Sequence, residues 1–257
     1  MSRVQLWSCG GGRQSAGVAA LIVEGKLPRP DHACMVKLEG EIHTTWKYVN
    51  AHIRPAIEAM GIPFTVIDRA EYATQDFWGG VDGETILIPV FTNQSGKLSK
   101  LPEFCSGEWK RRVVSRWAAE MPGWKDTGVD TWMGITTEES GRRRGPQKKW
   151  IQPAYPLLDL LPTSVGGCLV AVERVGWPPP PRSRCYWCPN QHNREWAELT
   201  SEEWEAACKL DEEIRETDAH AFLHKRMIPL RQVDVRADES QGELFGGGGG
   251  CSSGMCF

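Results

Sequence analysis

The chain has 257 residues, 40% hydrophobic and 25% charged, with 30 Lys and Arg against 33 Asp and Glu for a formal charge of −3. That balance fits a globular chain long enough to bury a core without disulfide staples, and excludes a generally basic nucleic-acid coat. No stretch approaches the roughly 20 apolar residues of a membrane span. Residues 1–25 carry no basic region followed by an apolar run, so a cytoplasmic rather than a secreted protein is expected.

Residues 3–8 read as a short buried strand, Gly10, Gly11 and Gly12 as a turn, and the apolar segment from Ser15 as a helix stopped by Gly25 and Pro28. Residues 33–38 form a second predicted strand. A helix is expected over 44–60, with Pro55 as a kink and Gly61 as its stop, and a third strand over 64–67. Residues 107–120 read as a helix and 131–136 as another strand. Strand and helix alternate, which predicts an α/β fold with a doubly wound, mainly parallel sheet.

The expected organisation is a nucleotide-binding α/β domain over 1–150, a helical segment with a Cys-x-x-Cys loop over 151–245, and a glycine-tethered tail over 246–257. Four prolines at 178–181 favour an extended spacer. A helix fits 201–217, with Thr200 and Glu203 as its capping box and Trp204, Ala207, Leu210 and Ile214 as its apolar stripe. The glycine run at 246–250 carries Cys251 and Cys256. Fully extended, such a run reaches about 17 Å.

The segment Ser8-Cys9-Gly10-Gly11-Gly12-Arg13-Gln14-Ser15 lies between a predicted strand and a predicted helix. Glycines there let backbone N–H groups approach an anion, the helix start adds positive character, Ser15 offers a hydroxyl and Arg13 a charge. The Lys-Ser/Thr of a Walker A loop and the third glycine of a dinucleotide fingerprint are missing. A plain tight strand-to-helix turn is the alternative. Beyond it, Arg142, Arg143, Arg144, Lys148 and Lys149 crowd a loop after a predicted strand, where they would grip phosphate, sulfate or nucleic acid, or simply face solvent. Glu138 and Glu139, just upstream, suit Mg²⁺, a ribose or a helix start. His43, His192 and His224 read as structural, and the 12 tryptophans as core or cleft walls.

Nine cysteines in a chain expected to stay in a reducing compartment point to thiols or metal ligands rather than a disulfide framework. Cys185 and Cys188 are spaced to bite one metal. Cys105 precedes Lys110, Arg111 and Arg112, whose charge favours a thiolate. The spacing fits zinc and an iron–sulfur cluster equally. Cys9, Cys34, Cys168 and Cys208 read as small buried hydrophobes.

The glycine octapeptide resembles the Ser-Phe-Gly-Gly-Gly-x-Gln-Ser variant of the pyrophosphate loop (PP-loop) of adenine-nucleotide α-hydrolases. Within that superfamily the chain is similar to the phosphoadenosine phosphosulfate (PAPS) reductase-like proteins, particularly the divergent phage type. Further resemblance lies in Glu41-Ile-His-Thr-Thr45-Trp46, Cys105-Ser-Gly-Glu-Trp109-Lys110, Gly134-Ile-Thr-Thr-Glu138-Glu139-Ser140-Gly-Arg142, Tyr155-Pro156-Leu157 and Ser183-Arg-Cys185-Tyr-Trp-Cys188-Pro189.

The resemblance implies ATP or an adenylylated nucleotide, with Mg²⁺, bound by Ser8, Gly10, Gly11, Gly12, Arg13, Gln14 and Ser15, and catalytic roles for Ser15, Lys110 and Arg142. It also implies a [4Fe-4S] cluster held by Cys105, Cys185, Cys188 and Cys256, with Cys251 in reserve and Zn²⁺ as the alternative. The expected chemistry is adenylation of an acceptor oxygen with release of pyrophosphate, then sulfur transfer from a sulfur donor, with a nucleic acid among the possible acceptors. Two departures stand out. Gln14 occupies the place of an Asp, and Lys37-Leu38-Glu39-Gly40 replaces an Asp/Asn-Thr-Gly element. The alternatives are a thiol-dependent reductase of adenylyl sulfate or PAPS, whose terminal Glu-Cys-Gly-Leu-His element is absent, and a non-catalytic nucleotide- or nucleic-acid-binding module with structural zinc.

Overall fold

The computed structural model describes residues 2–79, 85–94, 96, 98–146 and 148–236. They form two units interleaved along the chain, one from Met1–Thr74 and Ser106–Ser183, the other from Gln75–Cys105 and the described residues from Arg184 onward.

The first unit is built on strand β1 (Val4–Ser8), helix α1 (Arg13–Val23), strand β2 (His32–Lys37), helices α2 (His43–Tyr48) and α3 (Arg54–Ala59), and strand β3 (Phe64–Asp68). After residue 105 it continues with α4 (Arg112–Ala118), β4 (Val129–Trp132), β5 (Ile151–Ala154) and α5 (Val165–Arg174). The sheet order is β3-β2-β1-β4-β5, and every pairing is parallel. Leu6 lies opposite His32 on one side and Thr131 on the other. The chain winds outward from β1 in one direction and then returns to β1's other side. That reversal falls beyond the C-terminal ends of β1 and β4, where doubly wound sheets form the crevice that binds ligands.

The helix expected over 44–60 forms, with a feature the sequence does not announce. Between α2 and α3 the chain makes a wider π turn at Val49–Ile53. Pro55 has no N–H to give, and it follows directly where the hydrogen-bond ladder already changes register. Strand β4 is displaced from its expected span of 131–136. It ends at Trp132, and the chain turns, with Ile135 N–H donating to Met133 O at 2.9 Å. Ile135 and Thr136 are nonetheless buried, so the apolar pattern there reports burial rather than pairing. Strand β5 contains Pro153, which hides its strand character, but β5 is an edge strand where a missing donor is tolerated.

Residues 15–22 of α1 are all buried. Its closest neighbour is α5. A Cβ on Gly17 would lie 2.4 Å from Cys168 Cβ, so only glycine lets the two helices approach this closely. Cys168 is fully buried, as expected of a small apolar filler.

In the second unit, Phe91–Thr92 pairs antiparallel with both Ala221–Phe222 and Ser99–Lys100, and Trp78–Gly79 pairs with Thr85–Ile86. Helix α6 (Ser201–Thr217) carries the expected capping box: Thr200 Oγ1 accepts from Glu203 N–H at 3.2 Å, and Glu203 Oε2 accepts from Thr200 N–H at 3.0 Å. Its buried face includes a carboxylate. Asp211, with no exposed surface, accepts from Leu223 N–H at 3.0 Å, Leu230 N–H at 2.9 Å and Arg215 Nε at 3.1 Å. Among the described residues no helix is long and apolar enough to cross a membrane.

Two substitutions test this packing by chemical denaturation. Gly17→Ala raises helix propensity yet should cost about 1–3 kcal/mol, because the methyl overpacks the Cys168 contact. Asp211→Ala should cost on the order of 3 kcal/mol, because two buried N–H groups and a guanidinium lose their acceptor.

Candidate functional site

β1 runs straight into the glycine turn. Cys9 N–H still donates to Cys34 O at 2.7 Å, and the chain then leaves the sheet. Gly11 has φ +74°, and a Cβ there would sit 2.6 Å from Thr45 Cγ2, so the backbone needs glycine on both counts. A Cβ on Gly12 would lie 3.2 Å from both the Cβ and the backbone N of Ser183. Ser15 is buried, and its Oγ accepts from Gly10 N–H at 2.8 Å, closing the turn on itself. Helix α1 has no side-chain cap and no acidic residue in its first turn. Its leading N–H groups therefore take no hydrogen bond from a capping side chain and keep the positive character of a helix start. Arg13 is exposed at the helix start.

The other wall comes from the loop after β4. Gly134 approaches α1 closely enough that a Cβ would lie 3.3 Å from Gln14 Cβ. Glu139 then joins the two walls: Gln14 Nε2 donates to its Oε2 at 3.1 Å and Arg142 Nη1 to its Oε1 at 2.5 Å. The remaining Arg142 donors, Nε and Nη2, are shielded from water and meet no acceptor among the described residues. Glu138 is used differently. Its carboxylate accepts from Val165 N–H at 3.1 and 3.2 Å, at the start of α5. Hydrogen bonds from its own N–H and from Val165, with help from the Thr137 hydroxyl, hold it below the usual carboxylate range.

A third carboxylate completes the surroundings. The Glu41 side chain is 1% exposed; its Oε1 accepts from Ser183 Oγ at 2.8 Å and its Oε2 lies 3.7 Å from Lys110 Nζ. Lys110 also acts on Cys9. Burial pushes the Cys9 thiol up to about 11, even though the Gly11 N–H, the Ser15 hydroxyl and the Lys110 charge all pull it down. The basic loop is partly consumed by its neighbours. Arg143 pairs with Asp159 at 2.9 Å and stacks over the Tyr155 ring, and Lys148 Nζ reaches Ser115 Oγ at 3.2 Å. Arg111 is held below its ordinary range by burial and by the Arg144 and Arg112 charges.

The Cys-x-x-Cys loop lies in the second unit. Cys188 N–H donates to Cys185 O at 3.0 Å, which folds the two cysteines onto one turn. A buried polar frame holds that turn. Arg184 Nε donates to Gln191 Oε1 at 2.8 Å, Gln191 Nε2 to Tyr186 O at 2.9 Å, and Arg184 Nη2 to Glu195 O at 3.1 Å. Trp187 packs edge-on against Phe77 and Tyr186. Cys105 belongs to the same unit, its N–H donating to Leu87 O at 2.9 Å. Among the described residues no three His, Cys, Asp or Glu side chains form a group able to hold a metal ion. Cys251 and Cys256 lie outside the described residues.

The structure thus brings Gln14, Ser15 and Arg142 together with the glycines, and sets Lys110 beside Glu41. The sequence did not single out Glu139 as a bridge or Ser183 as a partner of Glu41. Their partners lie 125 and 142 positions away, and only the sheet topology joins them.

No family model and no curated protein matches the sequence. Among solved structures the chain is similar to the U34-tRNA thiolase NcsA from Methanococcus maripaludis with its [4Fe-4S] cluster, at 13% identity and a TM-score of 0.42, covering 84% of this chain and 67% of that one.

Burial predicts which thiols react. At pH 8, iodoacetamide should leave Cys9, pushed up to about 11, and Cys168, pushed up to about 12, unmodified in the native protein and label them after denaturation. Peptide mass spectrometry reads the outcome; rapid native labelling of Cys9 would contradict the closed turn.

Proposed function

We propose that the chain is a PP-loop enzyme of the PAPS reductase-like group that binds ATP or an adenylylated nucleotide at the glycine turn and takes part in sulfur transfer. The observation that carries this reading is the meeting of an uncapped helix start with a guanidinium edge that lacks an acceptor, at the reversal point of a parallel sheet. Both features call for an anion, and they come from separate strands of the same crevice.

In this reading the leading N–H groups of α1 cradle phosphate oxygens, and Gly11 and Gly12 let the backbone reach them. Lys110, held beside Glu41, supplies a positive charge close to the turn. An acceptor oxygen attacks the α-phosphorus as the bond to the departing pyrophosphate breaks, and these donors stabilise the charge gathering on the leaving oxygens. Ser15 acts through the turn, because its hydroxyl fixes Gly10. Arg142 orients one terminal anionic group.

Cys105, Cys185, Cys188 and Cys256 are the proposed ligands of the metal centre, an iron–sulfur cluster or a zinc ion. The described residues supply a two-thiol turn but no three-donor set. The rival reading is a nucleotide-binding module with structural zinc, and metal content separates the two.

Isothermal calorimetry tests the nucleotide site. Gly12→Val should abolish ATP binding because its side chain meets Ser183, and Ser15→Ala should weaken binding about tenfold with the circular-dichroism spectrum retained. Unchanged affinity in both variants would overturn the assignment. For the metal, anaerobically purified protein should contain iron and sulfide, reduced in Cys185→Ser and Cys188→Ser but not in Cys208→Ser. Stoichiometric zinc without iron would favour the binding module.

A further inference from the structure

Among the described residues, three carboxylates around the glycine turn and the loop after β4 are engaged by the protein itself. Glu138 caps α5, Glu41 takes Ser183 and faces Lys110, and Glu139 receives Gln14 on one oxygen and Arg142 on the other. Arg142 gives Nη1 to Glu139 and keeps Nε and Nη2, which share one edge of the planar guanidinium with their N–H bonds nearly parallel. That edge matches two oxygens of one tetrahedral oxyanion. Leaving it without an acceptor away from water costs free energy that a bound anion restores.

The geometry points to Gln14 as the residue that sets how the nucleotide's anion is held: through Glu139 it fixes the Nε–Nη2 edge of Arg142 as a fork for a terminal phosphoryl or sulfuryl group, taken without a divalent cation. This deepens the nucleotide-site reading and rests on it. Gln14 is neutral, so the pair Gln14–Glu139 carries one negative charge, balanced by Arg142. A carboxylate at position 14 would set two like charges within hydrogen-bond distance, a pair relieved by a cation or by protonation. With the amide, Glu139 serves as a tether for Arg142 rather than as half of a cation site.

Calorimetry with ATP and with adenosine 5′-phosphosulfate, each in EDTA and in Mg²⁺, tests this on the intact chain. Wild-type affinity for at least one ligand should agree within about twofold between EDTA and Mg²⁺. Arg142→Lys, which keeps the charge and loses the fork, should weaken that ligand by about tenfold or more. Gln14→Asp should weaken it in EDTA and recover with Mg²⁺, a readout that loss of structure would not produce. Inorganic sulfate or inorganic phosphate should compete with that ligand in wild type and at least tenfold less well in Arg142→Lys; equal competition in both would overturn the fork. Wild-type binding that requires Mg²⁺ would overturn the metal-free fork while leaving the nucleotide site standing, as would an Arg142→Lys affinity equal to wild type. Absence of binding by either ligand in both media would overturn the nucleotide site itself and the fork with it.

Discussion

One carboxylate, Glu139, ties the start of α1 to the loop beyond β4 and so holds the two walls of the crevice in register. Its partners differ in kind. Gln14 gives a neutral amide from a helix packed deep in the core, whereas Arg142 gives a charged nitrogen from a loop. The helix is therefore the fixed reference, and Glu139 passes that position to the guanidinium. The parallel sheet makes this possible, because β1 and β4 are neighbours and their C-terminal ends open on the same side. Without that adjacency, residues 125 positions apart would never share a proton.

The second unit organises its two cysteines by other means. Arg184 is 8% exposed, yet its donors reach Gln191, the Glu195 carbonyl and the Glu198 carboxylate, and Glu195 also receives the His192 N–H. A buried guanidinium is tolerable only when its donors find acceptors in this way. The consequence is local rigidity: the backbone on both sides of Cys185 and Cys188 is anchored to one polar frame.

Much of the sheet was legible because period and punctuation agree. β1, β2 and β3, the helix after the glycine turn with its Gly25 stop, and the α6 capping box all formed as expected. Where the two disagree, the pattern misleads. Ile135 and Thr136 continue an apolar run past the end of β4, since burial and strand pairing leave the same trace in sequence. Pro153 masks β5, and three small residues in Gly166-Gly167-Cys168 mask α5, whose stability comes from the groove it fills rather than from helix propensity. For the site, glycines and the serine announce themselves by local spacing. The roles of Glu139, Glu41 and Ser183 do not, because each is defined by a partner more than 120 positions away or by a backbone it merely approaches.

The Gly17 contact has a mechanical consequence. With no room between α1 and α5, the two helices cannot slide past each other without a clash, so they move as a single beam. The turn sits at one end of that beam, and Glu138 fastens the loop bearing Glu139 to the first residue of α5. The start of α1 and the loop after β4 are thus both tied to α5, whose Leu169 and Val170 face outward. Bulk added at Cys168 would act as a wedge in that beam, displacing the glycine turn from behind without touching Gln14, Glu139 or Arg142.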